Sequence, residues 1–184
     1  MRAYFVGLLA TVAVMVPLIA VAAAPKQLLG KSVVVTWHES RVQRHVGEAN
    51  FRNVHASHSI SVYISTSGRV FSRMTFATGA GTAATEQVQG QRGESPHFRA
   101  RVPSFSDRSM TLFQPYQHAG MRRLLINFGA DFATCSARVG HAKEEGAATS
   151  FGWSPITKRM VEFQSVTASA ETCSVRTGNV FGAE

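Results

Sequence analysis

The stretch "SISVYISTSGRVFSRMTF", residues 59–76, alternates apolar and polar residues on both sides of a short polar break. Period-two alternation is the signature of a strand with one buried face. Ile60, Val62 and Ile64 share one face of the first strand; Val70, Ser72, Met74 and Phe76 share one face of the second. "STSG", 65–68, reads as the hairpin connection, because Gly68 takes the left-handed conformation at no steric cost. The other face of the second strand carries Arg69, Phe71, Arg73 and Thr75, so a phenylalanine stands between two arginines.

The same period recurs along the chain, and no stretch after residue 25 keeps apolar residues at helical spacing for three turns. "SVVVTWH", 32–38, places Val33, Val35 and Trp37 on one face. Further strands are predicted in "HFRARV", "SMTLFQ", "RLLINF", "FATCSARV", "RMVEFQSV" and "TCSVRT", separated by Gly, Pro, Ser and Asp. The expected fold is all-β: an antiparallel barrel or sandwich of about eight to nine strands. Ordered strands at both ends favour a closed or nearly closed barrel. The segment 77–96, "ATGAGTAATEQVQGQRGESP", reads as a long glycine-rich connection with room for a short helix in "AATEQVQ".

Residues 1–22 have the form of a secretory signal peptide: Arg2, an uncharged apolar run, and small residues Ala20 and Ala22 before the expected cut. Pro17 and the alanine-rich end favour cleavage over the rival reading, an uncleaved membrane anchor. The remaining residues, 23–184, have the length of one domain with a real core and contain no transmembrane span. Export predicts a periplasmic or secreted protein, and in an oxidising compartment Cys135 and Cys173 are expected to form a disulfide. It would tie the strand near Cys135 to the last strand.

The formal charge of +8 favours anionic partners such as lipid head groups, glycans or acidic proteins. Arg69, Phe71 and Arg73 share one strand face, and His97, Arg99 and Arg101 share another. If those strands are neighbours, Arg69, Phe71, Arg73, Arg99 and Arg101 form a basic stripe with an aromatic platform for an oxyanion. The competing readings are that the arginine stems cover Phe71 while their charges reach water, or that this face lines a lumen.

Signatures of covalent chemistry are missing from the sequence. There is no Gly-x-Ser-x-Gly elbow, no assignable carboxylate pair and no P-loop lysine after "GAGT", 79–82, which reads as a turn. His55 and His58 lie three apart, a spacing that opposes faces on a strand, so a metal site with His38, Glu39, His45 or Glu48 would need a turn to converge. No cofactor, metal or nucleic-acid motif is recognised. Trp37 in a first strand resembles the lipocalin pattern, but Ser32 occupies the position where the Gly-x-Trp signature beginning at Gly30 places tryptophan, so nothing is carried over. The sequence therefore favours a non-enzymatic binding protein for an anionic or amphipathic envelope component. The alternative is an adaptor that contacts an envelope protein through a sheet edge or the 77–96 segment, and a hydrolase or metal-dependent enzyme without a recognisable motif comes third.

Overall fold

The 59–76 alternation folds as the expected hairpin. Ser65 N–H donates to the Arg69 carbonyl at 2.8 Å, Arg69 N–H to Ser65 Oγ at 2.9 Å, and Gly68 turns the chain at φ +82°. The computed structural model describes residues 23–88, 104–115, 120–143 and 146–182. Apart from one 3-10 turn at Lys26–Leu28, every regular element among the described residues is a strand. They are β1 (Lys31–His45), β2 (Arg52–Ile64), β3 (Val70–Thr78), β4 (Gly81–Val88), β5 (Ser104–Ser106), β6 (Ser109–Pro115), β7 (Gly120–Phe128), β8 (Cys135–Lys143), β9 (Ser150–Ser154) and β10 (Arg159–Thr177).

The all-β class holds, in the form of a curled antiparallel sheet making a half-barrel and a second small sheet. The first has the order β4-β3-β2-β1-β10-β9, the second β5-β6-β7-β8. They share one apolar core: Val33, Val35, Trp37, Ile60, Val62 and Val70 from the half-barrel meet Met110, Leu112, Leu124, Ile126 and Phe128 from the small sheet. These are the inward positions of the alternating patterns.

The curl has a local cause in β10. Its pairing with β1 slips twice, between Thr36 and His38 and between Val42 and Gln43, and Ala170 beside the first slip takes φ +53°. Such bulges bend a strand and increase its twist. "RMVEFQSV" and "TCSVRT" are consequently one bent strand rather than two.

The 77–96 segment is corrected. "GAGT" makes the turn, but Gly81–Val88 is not a helix: it is β4, paired from Thr78↔Gly81 to Phe71↔Val88. Its Ala, Gln and Glu content carries little strand propensity, and the open ladder of β3 supplies the pairing instead. Residues 89–96 and the expected strand "HFRARV" lie outside the described residues. The strands β5 and β9 have no counterpart among the sequence-based expectations.

The expected disulfide is present between Cys135 and Cys173, with Cα atoms 5.5 Å apart. It joins the start of β8 to β10 and so ties the small sheet to the half-barrel. Among the described residues, no helix is long and apolar enough to cross a membrane.

Candidate functional site

The inward face of β1 changes character along its length. Val33 and Val35 sit in dry core, Trp37 and Glu39 follow, then Arg41, Gln43 and His45, all of them buried. The strand's alternation continues unbroken, so charged residues take positions that apolar ones hold a few residues earlier. Burial of this kind demands compensation from neighbouring strands.

Glu39, 1 % exposed, receives it from four elements. Its Oε1 accepts from Trp37 Nε1 at 2.8 Å. Its Oε2 accepts from Arg41 Nε at 2.8 Å and Nη2 at 2.6 Å. From the small sheet, Arg122 Nη2 lies 3.1 Å from both oxygens, and His141 Nε2 lies 3.3 Å from Oε1. Arg122 and His141 stand directly opposite each other on β7 and β8, which is how both reach one carboxylate. From β2, His58 Nε2 sits 3.0 Å from Glu39 Oε2 and 2.8 Å from Arg41 Nη2.

Aromatic rings fix the cluster's geometry. His58 stacks on Trp37, its cross-strand partner, with centroids 4.7 Å apart and planes within 4°. Phe76 packs against the far side of His58 at 5.2 Å. The Arg41 guanidinium lies over Phe76 at 4.9 Å and Phe163 at 5.6 Å, and Arg122 lies over Trp37 at 5.8 Å. Cation–π attraction thus adds to the hold on each arginine.

Burial acts to raise the pKa of Glu39. The charge of Arg122, hydrogen bonds from His141 and His58, and the charge of Arg41 outweigh it and hold the carboxyl far below the usual carboxylate range. His58 moves the other way from a paired histidine. Burial lowers its pKa to about 4, helped by Arg122 and Arg41 and opposed by the hydrogen bond and charge of Glu39. The ring is therefore neutral at pH 7. One ionised carboxylate faces two guanidinium groups, one from β1 and one from β7.

This arrangement predicts acid sensitivity with a defined sign. The unfolded chain protonates His58 near pH 6.5 and the folded chain only near pH 4, so protons bind preferentially to the unfolded state between those values. The contribution of His58 falls as pH drops through that window by about 3 kcal/mol in total, and levels off below it. Urea unfolding at pH 7.5, 5.5 and 4 should show it. A His58→Phe variant, which keeps an aromatic partner for Trp37, should lose that share of the pH dependence. An identical pH profile in the variant would exclude His58 as its source.

Beside the cluster, the concave face opens into a cavity of about 530 Å³. Arg41, Gln43 and His45 of β1 form its floor, and Phe76, Trp153 and Phe163 are its aromatic walls. Arg52, whose side chain is 52 % exposed, also lines it. His45 is engaged at both ring nitrogens: Nδ1 forms a hydrogen bond with Glu48 Oε1 at 3.0 Å and lies 3.0 Å from Arg52 Nη2, and Nε2 meets the Thr157 hydroxyl at 3.1 Å. The same hydrogen bond, with that from the His45 backbone N–H, lowers the Glu48 pKa to about 2.

Of the basic stripe expected from sequence, Arg69, Phe71 and Arg73 lie on β3 or just before it, on the face away from the core. Arg69 sets its guanidinium over Phe71 at 5.3 Å, and Phe71 stacks with Tyr63 at 6.1 Å. Arg73 turns instead to Phe181, at 5.0 Å. A phenylalanine between arginines is thus a ring covered by one of them and packed on a neighbouring tyrosine. Arg99 and Arg101 lie outside the described residues.

The histidine set separates by face. His38 pairs with Ser57 at 3.1 Å and His55 with Ser40 at 3.3 Å on the outer face, whereas His58 and Glu39 meet inside. Among the described residues, no group of three or more His, Cys, Asp or Glu side chains is placed to hold a metal ion. Arg41, Gln43, Arg122, His141, Trp153 and Phe163 were not legible as site residues. For Arg41 and Gln43 a signal existed, since extending the Trp37 alternation through "HESRVQRH" puts both on the core face. Comparison with protein-family models, with curated proteins and with solved structures finds no match to this chain.

Proposed function

We propose that this chain is an exported, non-enzymatic binding protein that takes an anionic, amphipathic cell-envelope component into the concave face of its half-barrel. The observation that carries this reading is the cavity itself: aromatic walls for an apolar body, with Arg41 and Arg52 among the residues that line it. Ligand sites are typically concave and mostly apolar, with a few fixed polar groups. A barrel-like container suits such a ligand, with the small sheet covering the side of the half-barrel where the core lies.

The chemistry of the cluster favours binding over proton transfer. Both Glu39 oxygens are occupied by donors and its pKa is depressed, which makes it a poor general base near neutral pH. Export through residues 1–22 would place the protein in the periplasm or outside the cell, where the Cys135–Cys173 disulfide persists. On the outer face, exposed Arg69 and Arg73 would favour approach to an anionic envelope surface.

Native mass spectrometry of the protein purified gently from the exporting cell tests this reading. Extra mass that disappears on denaturation, and whose fragments include an acidic group on an apolar body, is the expected result. A bare protein that also takes up no added fatty acid would overturn it.

A further inference from the structure

Two hydrogen bonds on the outer face of the half-barrel share one pattern. His38 Nδ1 meets Ser57 Oγ at 3.1 Å, and His55 Nδ1 meets Ser40 Oγ at 3.3 Å. In the β1–β2 ladder His38 stands opposite Ser57 and Ser40 opposite His55, so the two histidines are diagonal neighbours on adjacent strands. Both are exposed, and both line one open depression with Ser40, Ser57, Ala77 and Gly79. Glu39 also borders it, but its carboxylate is engaged in the interior by Arg41 and Arg122. The ladder neighbours around the pair on this face, Thr36, Ser59, Thr167 and Ser169, carry no charge.

We infer that His38 and His55 form a two-imidazole binding site for a divalent metal ion of the zinc class. Diagonal neighbours across an antiparallel pair lie about 7–8 Å apart, within reach of aromatic and long side chains, and each zinc–imidazole bond spans about 2 Å. The serines supply what a coordinating histidine needs behind it. An oxygen that accepts from Nδ1–H holds the ring in the tautomer whose lone pair is on Nε2. Imidazole nitrogens with no carboxylate beside them suit Zn²⁺, Cu²⁺ or Ni²⁺ rather than Ca²⁺ or Mg²⁺, which take oxygen ligands. Two protein ligands leave the remaining positions of a tetrahedral ion to water, so the metal exchanges with solvent and does not hold the fold together. Zinc bound here sits on the outer face, and its binding does not depend on any ligand in the cavity.

Calorimetric titration of the untagged protein with ZnCl2 at pH 7.5 tests the pair. The expected result is one ion bound per chain, no response to MgCl2, and affinity at least about tenfold lower in His38→Gln and in His55→Gln. Ser40→Ala and Ser57→Ala should each weaken binding by about tenfold as well, because partners that orient a ligating histidine carry losses of that size. Urea unfolding in EDTA should be the same in all four variants as in the wild type, which separates loss of a ligand from loss of the fold. Affinity that is unchanged in both histidine variants, or lowered in only one, would overturn the site, as would no binding at about 1 mM ZnCl2. If a variant does not fold, nitrogen NMR of the wild-type histidines decides instead: both Nε2 resonances should move together up to one equivalent of Zn²⁺, and movement of neither or of one alone would overturn the pairing.

Discussion

Glu39→Gln is expected to cost about 3–5 kcal/mol of folding stability, the cost of removing one partner from a buried ion pair. Glutamine keeps the shape of the side chain and can still accept from Trp37. It cannot neutralise Arg41 and Arg122, which approach the same carboxylate from β1 and from β7. Two guanidinium groups would then repel each other in a place from which water is largely excluded. Denaturant unfolding at neutral pH measures the loss directly.

The same cluster predicts an asymmetry between breaking the network and replacing it. Glu39→Leu with Arg41→Met and Arg122→Met removes all three charges together and keeps apolar volume. That triple variant should be more stable than Glu39→Gln alone, since exchange of a whole buried ionic group for packed apolar residues is often neutral or better. A single variant that loses less than about 1 kcal/mol would show that the carboxylate is not the centre of the network. Should the triple variant be no better than the single one, the arginine stems are needed for packing rather than for charge.

Loss of the Cys135–Cys173 bond is expected to cost about 3–4 kcal/mol in the chain-entropy model, given a sequence separation of 38 residues. Its position adds a reason. Cys135 begins β8, the strand at one end of the small sheet's ladder, and Cys173 lies opposite Val35 on β10, next to the edge strand β9 of the half-barrel. The bond therefore holds together two sheets that contribute opposite sides of one core. For a domain of this size the melting temperature should fall by about 10 °C in the Cys135→Ala/Cys173→Ala variant, measured by circular dichroism. A fall of less than about 2 °C would mean that core packing and the Glu39 network hold the sheets without help from the covalent tie.

Much of this fold is legible in short stretches. The hairpin at 59–76, the inward set Val33, Val35, Trp37, Ile60, Val62 and Ile64, and the strands around Met110 and Ile126 all follow from alternation, and the inward set, Met110 and Ile126 are buried. The disulfide follows from two cysteines in a chain that reads as exported. Alternation fails where a strand borrows its pairing. β4 has little apolar content and forms on the open ladder of β3, so its residues carry no strand pattern of their own. Patterning also stops short on β1, because charged residues after His38 look like a solvated end although Glu39, Arg41, Gln43 and His45 are buried.

The sequence by itself determined the all-β class, the apolar faces and the cysteine pair, because these depend on residues two apart or on a count. Tertiary structure alone decided that the strands divide into a half-barrel and a small sheet. It also decided that Glu39 meets Arg122, 83 residues away, and that Gln43 and Phe163 face one cavity. The physical reason is register. Two slips in the β1–β10 ladder bend the sheet and aim its inward residues at a common centre, and such slips arise from how whole strands pack rather than from any local pattern.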